Sequence, residues 1–305
     1  MTTIKAAGAR LARAAAKRAF HARKYLYQRL SAFGLPREKR ILFILGCQRS
    51  GTTLMQNVFD ADLGARVYGE FSAITRTAKT PNLRLRPLEE VKSILEGDPA
   101  RFVVAKPICE TQNALRLLGF FPGAKALFLY RHYAAVASSN LREFGQRNGI
   151  NNLRPIVAGE SGNWRSEGVP PEVRALVVAR FHEQMNPYDA AALFWYVRNR
   201  FFFDLRLDGH PAVLPLRYED LLRAPTGAME GIYRFVGAPF VPRGVGLVRP
   251  EPAGRPRIEL SADIEQLCAG LLERLDRASA RAWDTRAAVE DLPTSGKIAV
   301  VQPTE

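Results

Sequence analysis

Runs of apolar residues alternate with amphipathic segments along most of the chain. Four short runs are apolar throughout, as is typical of strands buried on both faces of a parallel sheet; they cover residues 41–45, 102–105, 124–130 and 212–216. Between them, apolar positions recur at helical spacing and predict helices at 54–59, 115–118, 134–144, 187–207, 227–236 and 261–278. Residues 148–172 are rich in Gly, Asn and Pro and predict a long loop. Strands alternating with helices indicate an α/β fold, a three-layer, doubly wound parallel sheet.

The first 40 residues differ from the rest of the chain in charge. They hold 11 Lys or Arg and a single acidic residue, Glu38, whereas the remaining 265 residues carry 33 basic and 29 acidic side chains. Residues 5–30 predict an Ala- and Arg-rich helix with a short apolar stripe at Leu26, Leu30 and Phe33. Four interpretations remain open for this arm: a solvated helix docked on the domain, a membrane-surface helix attracted to anionic lipid, an organelle-targeting arm, or a nucleic-acid contact.

These patterns divide the chain into a basic helical arm (1–40), one domain (41–290) and a tail (291–305). The nearly balanced charge of the body argues against a histone-like or ribosomal protein, and an apolar content of 47% argues against disorder. No apolar run approaches the roughly 20 residues needed to span a bilayer, and no secretory signal is expected at the N-terminus.

Three cysteines are too few and too far apart for a disulfide framework or a zinc motif; they are Cys47, Cys109 and Cys268. A reducing compartment is therefore expected. The predicted location is cytoplasmic, with membrane association through the arm left open.

A glycine-containing loop, GCQRSGTT, joins the first predicted strand to the first predicted helix. Gly46, Gly51 and Thr53 match the spacing of the P-loop pattern G-x-x-x-x-G-K-[ST]. Thr52 stands at the Lys position, and the positive charge lies within the loop at Arg49. No Asp follows a predicted strand to hold Mg²⁺. The loop therefore predicts a phosphate site without the means to hold a metal-bound triphosphate.

Residues 49–54 (RSGTTL) resemble the 5′-phosphosulfate-binding loop of sulfotransferases that use 3′-phosphoadenylyl sulfate (PAPS), among them bacterial and tyrosylprotein members. Three later blocks are similar to that family in the same order: 129–139 (LYRHYAAVASS), 213–222 (VLPLRYEDLL) and 254–257 (GRPR). The resemblance spans residues 41 to about 275 and implies the P-loop NTPase-like sulfotransferase fold.

The resemblance also implies how the nucleotide is held. The loop would bind the 5′-phosphate and sulfate, Arg131 and Ser139 would clamp the 3′-phosphate, and Tyr218 would pack near the adenine. The basic loop near residue 255 would close over the nucleotide. The implied set is Arg49, Ser50, Gly51, Thr52, Thr53, Leu54, Arg131, Ser139, Tyr218, Arg255 and Arg257.

The same resemblance implies three catalytic residues. Glu70, in a Gly-Glu pair 21 residues after Arg49, would be the general base. Lys106, at the end of the second predicted strand, and Arg49 would stabilise the group in transfer. His132 is an alternative base, although it would lie beside the 3′-phosphate, at the wrong end of the nucleotide.

The predicted function is in-line transfer of a sulfuryl group from PAPS to a hydroxyl or amine of a small-molecule, carbohydrate, lipid or peptide acceptor. This interpretation expects no metal and no nucleic-acid partner, and it allows peripheral membrane contact through residues 1–40. Two alternatives stay open. One is a nucleotide kinase or NTPase with a degenerate P-loop, and the other is a non-catalytic membrane-surface or nucleic-acid-binding protein acting through the arm.

Overall fold

Five short strands form a single parallel sheet. The computed structural model of the chain describes residues 2–31, 38–76, 83–249 and 258–290. The strands are β1 (Arg40–Gly46), β2 (Ala65–Tyr68), β3 (Phe102–Ala105), β4 (Lys125–Tyr130) and β5 (Val213–Arg217). Their order across the sheet is β2-β3-β1-β4-β5, and every neighbouring pair is parallel.

Helices cover both faces of this sheet. In the described residues they are α1 (Thr2–Ser31), α2 (Thr52–Asp60), α3 (Leu88–Gly97), α4 (Ala114–Phe120), α5 (Tyr133–Phe144), α6 (Asn148–Ala158), α7 (Pro171–Val178), α8 (Pro187–Asp204), α9 (Tyr218–Arg223), α10 (Pro225–Val236) and α11 (Ala262–Glu290). Short 3-10 turns lie at Ile108–Asn113, Leu207–Gly209 and Pro242–Leu247.

The central strand β1 shows why the fold has three layers. Successive side chains of a strand point to opposite faces. Accordingly, Phe43 and Leu45 join the core formed with α3, α4, α5, α8 and α11, whereas Leu42 and Ile44 join the core formed with α2 and α10. The predicted α/β fold with a doubly wound parallel sheet is confirmed.

The four predicted strands are present, but a fifth was missed. β2 has only four residues and lies at the edge of the sheet, where Arg66 is exposed and Val67 only half-buried. It therefore lacks the continuous apolar run that marks a strand buried on both faces.

The prediction of a long loop over residues 148–172 is wrong. This stretch contains α6 and the start of α7. Gly149 lets α6 approach α8 closely, because a Cβ at this position would lie 2.6 Å from the backbone nitrogen of Ala191. Pro155 lies inside α6. Tertiary packing against α8 outweighs the low helix propensity of these residues.

The basic arm enters the structure as α1. Its C-terminal part contacts the body through two buried polar side chains, Lys24 and Gln28. No helix among the described residues combines the length and apolar character needed to cross a bilayer.

Candidate active site

The parallel sheet brings the predicted site residues together at the carboxyl ends of its strands. Lys106 directly follows β3, Arg131 follows β4 and Tyr218 follows β5, while Glu70 comes two residues after β2. The glycine-containing loop follows the central strand β1. Neighbouring strands lie about 4.8 Å apart, so these residues surround the loop. The connections from β1 and β4 run to opposite sides, and ligands of open α/β sheets bind at such a switch point.

The loop between β1 and α2 has a backbone suited to an anion. Gly46, Arg49 and Gly51 all have positive φ angles, of 127°, 66° and 90°. Left-handed residues within a turn direct successive N–H groups toward one point, and the helix that begins at Thr52 adds the positive end of its dipole. Arg49 is one of only two non-glycine residues with positive φ in the described chain.

Contacts from behind hold the loop in this shape. The Gly46 N–H donates to Thr111 Oγ1 at 3.0 Å, and this hydroxyl lies 3.1 Å from the Gly46 carbonyl oxygen. A Cβ on Gly46 would lie 2.1 Å from the carbonyl oxygen of Leu129 on β4. A Cβ on Gly51 would lie 2.2 Å from the Tyr218 ring. Both positions are therefore restricted to glycine by space as well as by φ.

Lys106 links Glu70 to the glycine-containing loop. Its Nζ lies 3.3 Å from Glu70 Oε2 and 3.2 Å from Thr53 Oγ1. The Lys106 side chain is only 4% exposed and that of Glu70 20% exposed. The Lys106 backbone N–H also donates to the Tyr68 carbonyl, which fixes the segment leading to Glu70 against β3. A carboxylate and an ammonium thus meet at the N-terminus of α2.

Arg49 is directed toward α5. Its Nε donates to Ser139 Oγ at 3.1 Å, its Nη2 lies 3.4 Å from Glu143 Oε2, and its guanidinium lies 5.6 Å from the centre of the Phe144 ring. The sequence interpretation pairs Ser139 with Arg131 at the 3′-phosphate and places Arg49 at the sulfate, and both roles stay predictions. In the structure, Arg49 and Ser139 form one cluster.

Arg131 lies over the ring of Tyr218, with 4.5 Å between the guanidinium carbon and the ring centre. The indole N–H of Trp195 donates to the Arg131 carbonyl at 2.9 Å. Next to them, His132 Nδ1 accepts a hydrogen bond from the Ala134 N–H and caps α5. A cation and an aromatic face therefore lie at the ends of β4 and β5, and His132 has a structural role there.

The remaining predicted residues fall into two groups. Ser50 and Thr52 are buried within the loop, Thr53 is exposed and Leu54 is half-buried. Arg255 and Arg257 lie outside the described residues.

The sequence analysis missed Arg198, which supports the 3-10 turn that holds the loop. Arg198 is fully buried on α8 and donates to the carbonyls of Trp164 and Ile108 and to Gln112 Oε1. It thereby ties α8 to the 3-10 turn that carries Thr111. Burial lowers the pKa of Arg198 to about 10, which leaves it a cation at neutral pH. An arginine directly after the apolar run of α8 was the available signal.

Two polar atoms of the loop have no hydrogen-bond partner in the described structure. Ser50 Oγ and Gln48 Nε2 are both buried and unsatisfied. Buried polar groups are normally paired.

Within the part of the chain that is described, no three His, Cys, Asp or Glu side chains are grouped to hold a metal ion.

We expect the three thiols to be unreactive in the folded protein. Cys47, Cys109 and Cys268 are free and buried, and desolvation raises the pKa of Cys47 and of Cys109 to about 12 and that of Cys268 above its usual range. The thiolate is the reactive form of cysteine. With Ellman's reagent at pH 8, we therefore expect fewer than one thiol per chain to react in the native protein and all three to react after denaturation. Rapid native labelling of Cys47 would contradict the burial of this thiol.

No protein-family model matches this chain, and no curated protein matches it. Solved structures do match. A sulfotransferase domain from the curacin biosynthetic pathway is 17% identical with a TM-score of 0.48, covering 81% of this chain and 98% of that one. A sulfotransferase from Alicyclobacillus acidocaldarius is 16% identical with a TM-score of 0.45, covering 82% and 100%. A sulfotransferase domain from the Synechococcus PCC 7002 olefin synthase is 18% identical with a TM-score of 0.40, covering 83% and 97%. Each of these three proteins is a sulfotransferase or a sulfotransferase domain.

Proposed function

We propose that the protein transfers a sulfuryl group from PAPS to a hydroxyl or amine of an acceptor, with Glu70 as the general base. The observation that carries the proposal is the position of Lys106, which contacts both Glu70 and Thr53 at the N-terminus of α2. A base for the acceptor and a donor for the transferring group thus lie beside a loop shaped for phosphate.

The residues present fit a sulfated nucleotide. Ser50 Oγ and Gln48 Nε2 are buried donors without partners, and the left-handed turn at Gly51 supplies backbone N–H groups. The cation of Arg131, which lies over the Tyr218 ring, offers charge for a phosphate. The Arg49 and Ser139 cluster adds a second cation and a hydroxyl. Together these groups would hold the 5′ and 3′ ends of the nucleotide.

PAPS supplies an activated sulfuryl group and a phosphate leaving group. The chain's own residues do the rest. Glu70 accepts the proton of the acceptor hydroxyl or amine, and Lys106 donates hydrogen bonds to the developing charge. Because Lys106 is buried and held by Thr53, its ammonium needs little reorganisation.

Calorimetric titration with 3′,5′-adenosine diphosphate (PAP), and separately with ATP and Mg²⁺, tests this function. We expect PAP to bind with a dissociation constant on the order of micromolar in the presence of EDTA. Arg131→Ala should weaken this binding by about 10- to 100-fold, because a charged hydrogen bond contributes roughly 1.5–3 kcal/mol. Arg277→Ala, an exposed substitution on α11, is the matched control and should bind like the unmodified protein.

The outcomes separate the possible functions. Binding of PAP without metal supports the proposal and justifies a screen of phenols, alcohols, amines and sugars with ³⁵S-labelled PAPS. Binding of ATP only with Mg²⁺ would instead assign the loop to a kinase or NTPase. Failure to bind either nucleotide would overturn the proposal. Thermal unfolding of Arg131→Ala distinguishes a lost contact from a lost fold.

A further inference from the structure

The helix α1 is held on the body by one of its faces. Lys24 Nζ lies 3.0 Å from Asp60 Oδ1, and Gln28 Nε2 donates to the carbonyls of Leu63 and Ala65, each at 3.0 Å. Both side chains are buried, which is unusual for Lys and Gln. Because residues four apart share a face of a helix, these contacts fix the rotation of α1 about its axis.

The opposite face of the same helix is apolar and uncovered. Leu26 is 59% exposed and Leu30 67% exposed. At 100° per residue they lie roughly opposite Lys24 and Gln28. Tyr25 and Tyr27, each about half exposed, flank them. Four of the nine large exposed hydrophobic residues in the described chain therefore lie within six residues of α1.

Exposed cations surround this apolar face. Arg18, Arg23 and Arg29 are all exposed, and the Arg29 guanidinium lies 5.4 Å from the Tyr25 ring centre. The first 40 residues carry 11 basic side chains and one acidic one. Long cationic side chains beside apolar ones can keep their charge at the level of lipid headgroups while their stems cover apolar surface.

We propose that the exposed face of α1 binds the surface of a membrane that contains anionic lipid. The leucines would enter the boundary of the acyl chains, the tyrosines would lie at the headgroup level, and the arginines would contact lipid phosphates. Charge complementarity selects an anionic surface. A nucleic acid would satisfy the arginines but would leave Leu26 and Leu30 in water.

The proposed contact lies away from the candidate active site. α2 begins at the loop and ends at Asp60. Asp60 therefore lies near the amino ends of the strands, where β2 begins at Ala65. Lys24 contacts Asp60 and Gln28 contacts Ala65 at these amino ends, away from the candidate active site. Membrane binding and nucleotide binding are therefore separable, and the inference does not depend on the proposed function.

Co-sedimentation of the full chain with lipid vesicles tests the inference. We expect binding to phosphatidylcholine vesicles containing about one third phosphatidylglycerol, little binding to phosphatidylcholine alone, and loss of binding at high salt. Leu26→Ser/Leu30→Ser should weaken binding at least about tenfold. Arg18→Gln/Arg23→Gln/Arg29→Gln should weaken it about 100-fold, at roughly fivefold per charge.

A matched control is available on α4. Leu115 and Arg116 are also exposed on a helix, and Leu115→Ser/Arg116→Gln should bind vesicles like the unmodified chain. All variants should keep the same thermal midpoint and the same affinity for PAP. Lost vesicle binding with an unchanged thermal midpoint supports the inference, whether or not PAP binds.

Four results would overturn it. The first is no binding to anionic vesicles. The second is equal binding by the Leu26→Ser/Leu30→Ser variant. The third is tighter binding to a labelled DNA or RNA duplex that the leucine substitutions leave unchanged. The fourth is a dimer in sedimentation velocity that these substitutions dissociate, because the face would then be covered by a second copy of the chain.

Discussion

Glu70→Gln is expected to reduce the rate of sulfuryl transfer by about 10²- to 10⁴-fold, the usual contribution of a general base. Glutamine keeps the shape of the side chain but cannot accept the proton of the acceptor. Glu70 lies 3.3 Å from Lys106, so the change also removes the carboxylate that partly neutralises this ammonium. Binding of the anionic PAP should therefore be unchanged or somewhat tighter. Transfer from ³⁵S-labelled PAPS to the best acceptor of the screen, with calorimetry of PAP, measures both effects.

The split between rate and nucleotide affinity separates a base from a structural acid. If Glu70 only positioned Lys106, Glu70→Gln would retain most activity, since an amide oxygen can still accept a hydrogen bond from the ammonium. Glu70→Asp, which keeps a carboxylate, should recover part of the rate. Glu172→Gln removes an exposed carboxylate on α7 and should leave the rate unchanged. Activity of Glu70→Gln within threefold of the unmodified protein would assign the proton transfer to another group.

The fold was accessible from sequence wherever burial is complete. Apart from their first residues Arg40 and Lys125, β1 and β4 are covered on both faces, as is all of β3, so these residues form unbroken apolar runs that mark the strands. β2 has Arg66 exposed and Val67 half-buried, so it has no such run. In α6, Gly149 packs closely against Ala191 of α8, a contact between residues far apart in sequence. Local propensity contains no information about that contact.

The candidate site divides in the same way. The spacing of Gly46 and Gly51 is a local property, and the positive φ angles agree with it. Parallel strands bring Lys106 to the loop whatever lies between them. The contact between Arg49 and Ser139 is not a local property, because these residues are 90 residues apart in the sequence. Nothing in the spacing of Ser139 from Arg131 indicates that its hydroxyl contacts Arg49, since this depends on the angle at which α5 leaves β4.

Gly51→Ala is expected to weaken both folding and nucleotide binding. The φ angle of Gly51 is 90°, which L-residues rarely adopt, and the new Cβ would lie 2.2 Å from the Tyr218 ring. Left-handed strain costs about 1–2 kcal/mol and overpacking about 1–3 kcal/mol, so we expect a total loss of about 2–5 kcal/mol in the free energy of unfolding. Displacing Tyr218 also moves the surface under Arg131, so PAP affinity should fall at least tenfold.

Two other glycines separate the causes of that loss. Gly123 has a φ of 77° with open space around its Cβ position, so Gly123→Ala should show the strain alone, about 1–2 kcal/mol. Gly119 lies in α4 with nothing near its Cβ position, and Gly119→Ala should stabilise the protein slightly through helix propensity. Urea unfolding of the three variants, with PAP titration, measures both quantities. If Gly51→Ala lost no more stability than Gly123→Ala and still bound PAP normally, Tyr218 would not press on the loop as described, and its place at the nucleotide site would have to be abandoned.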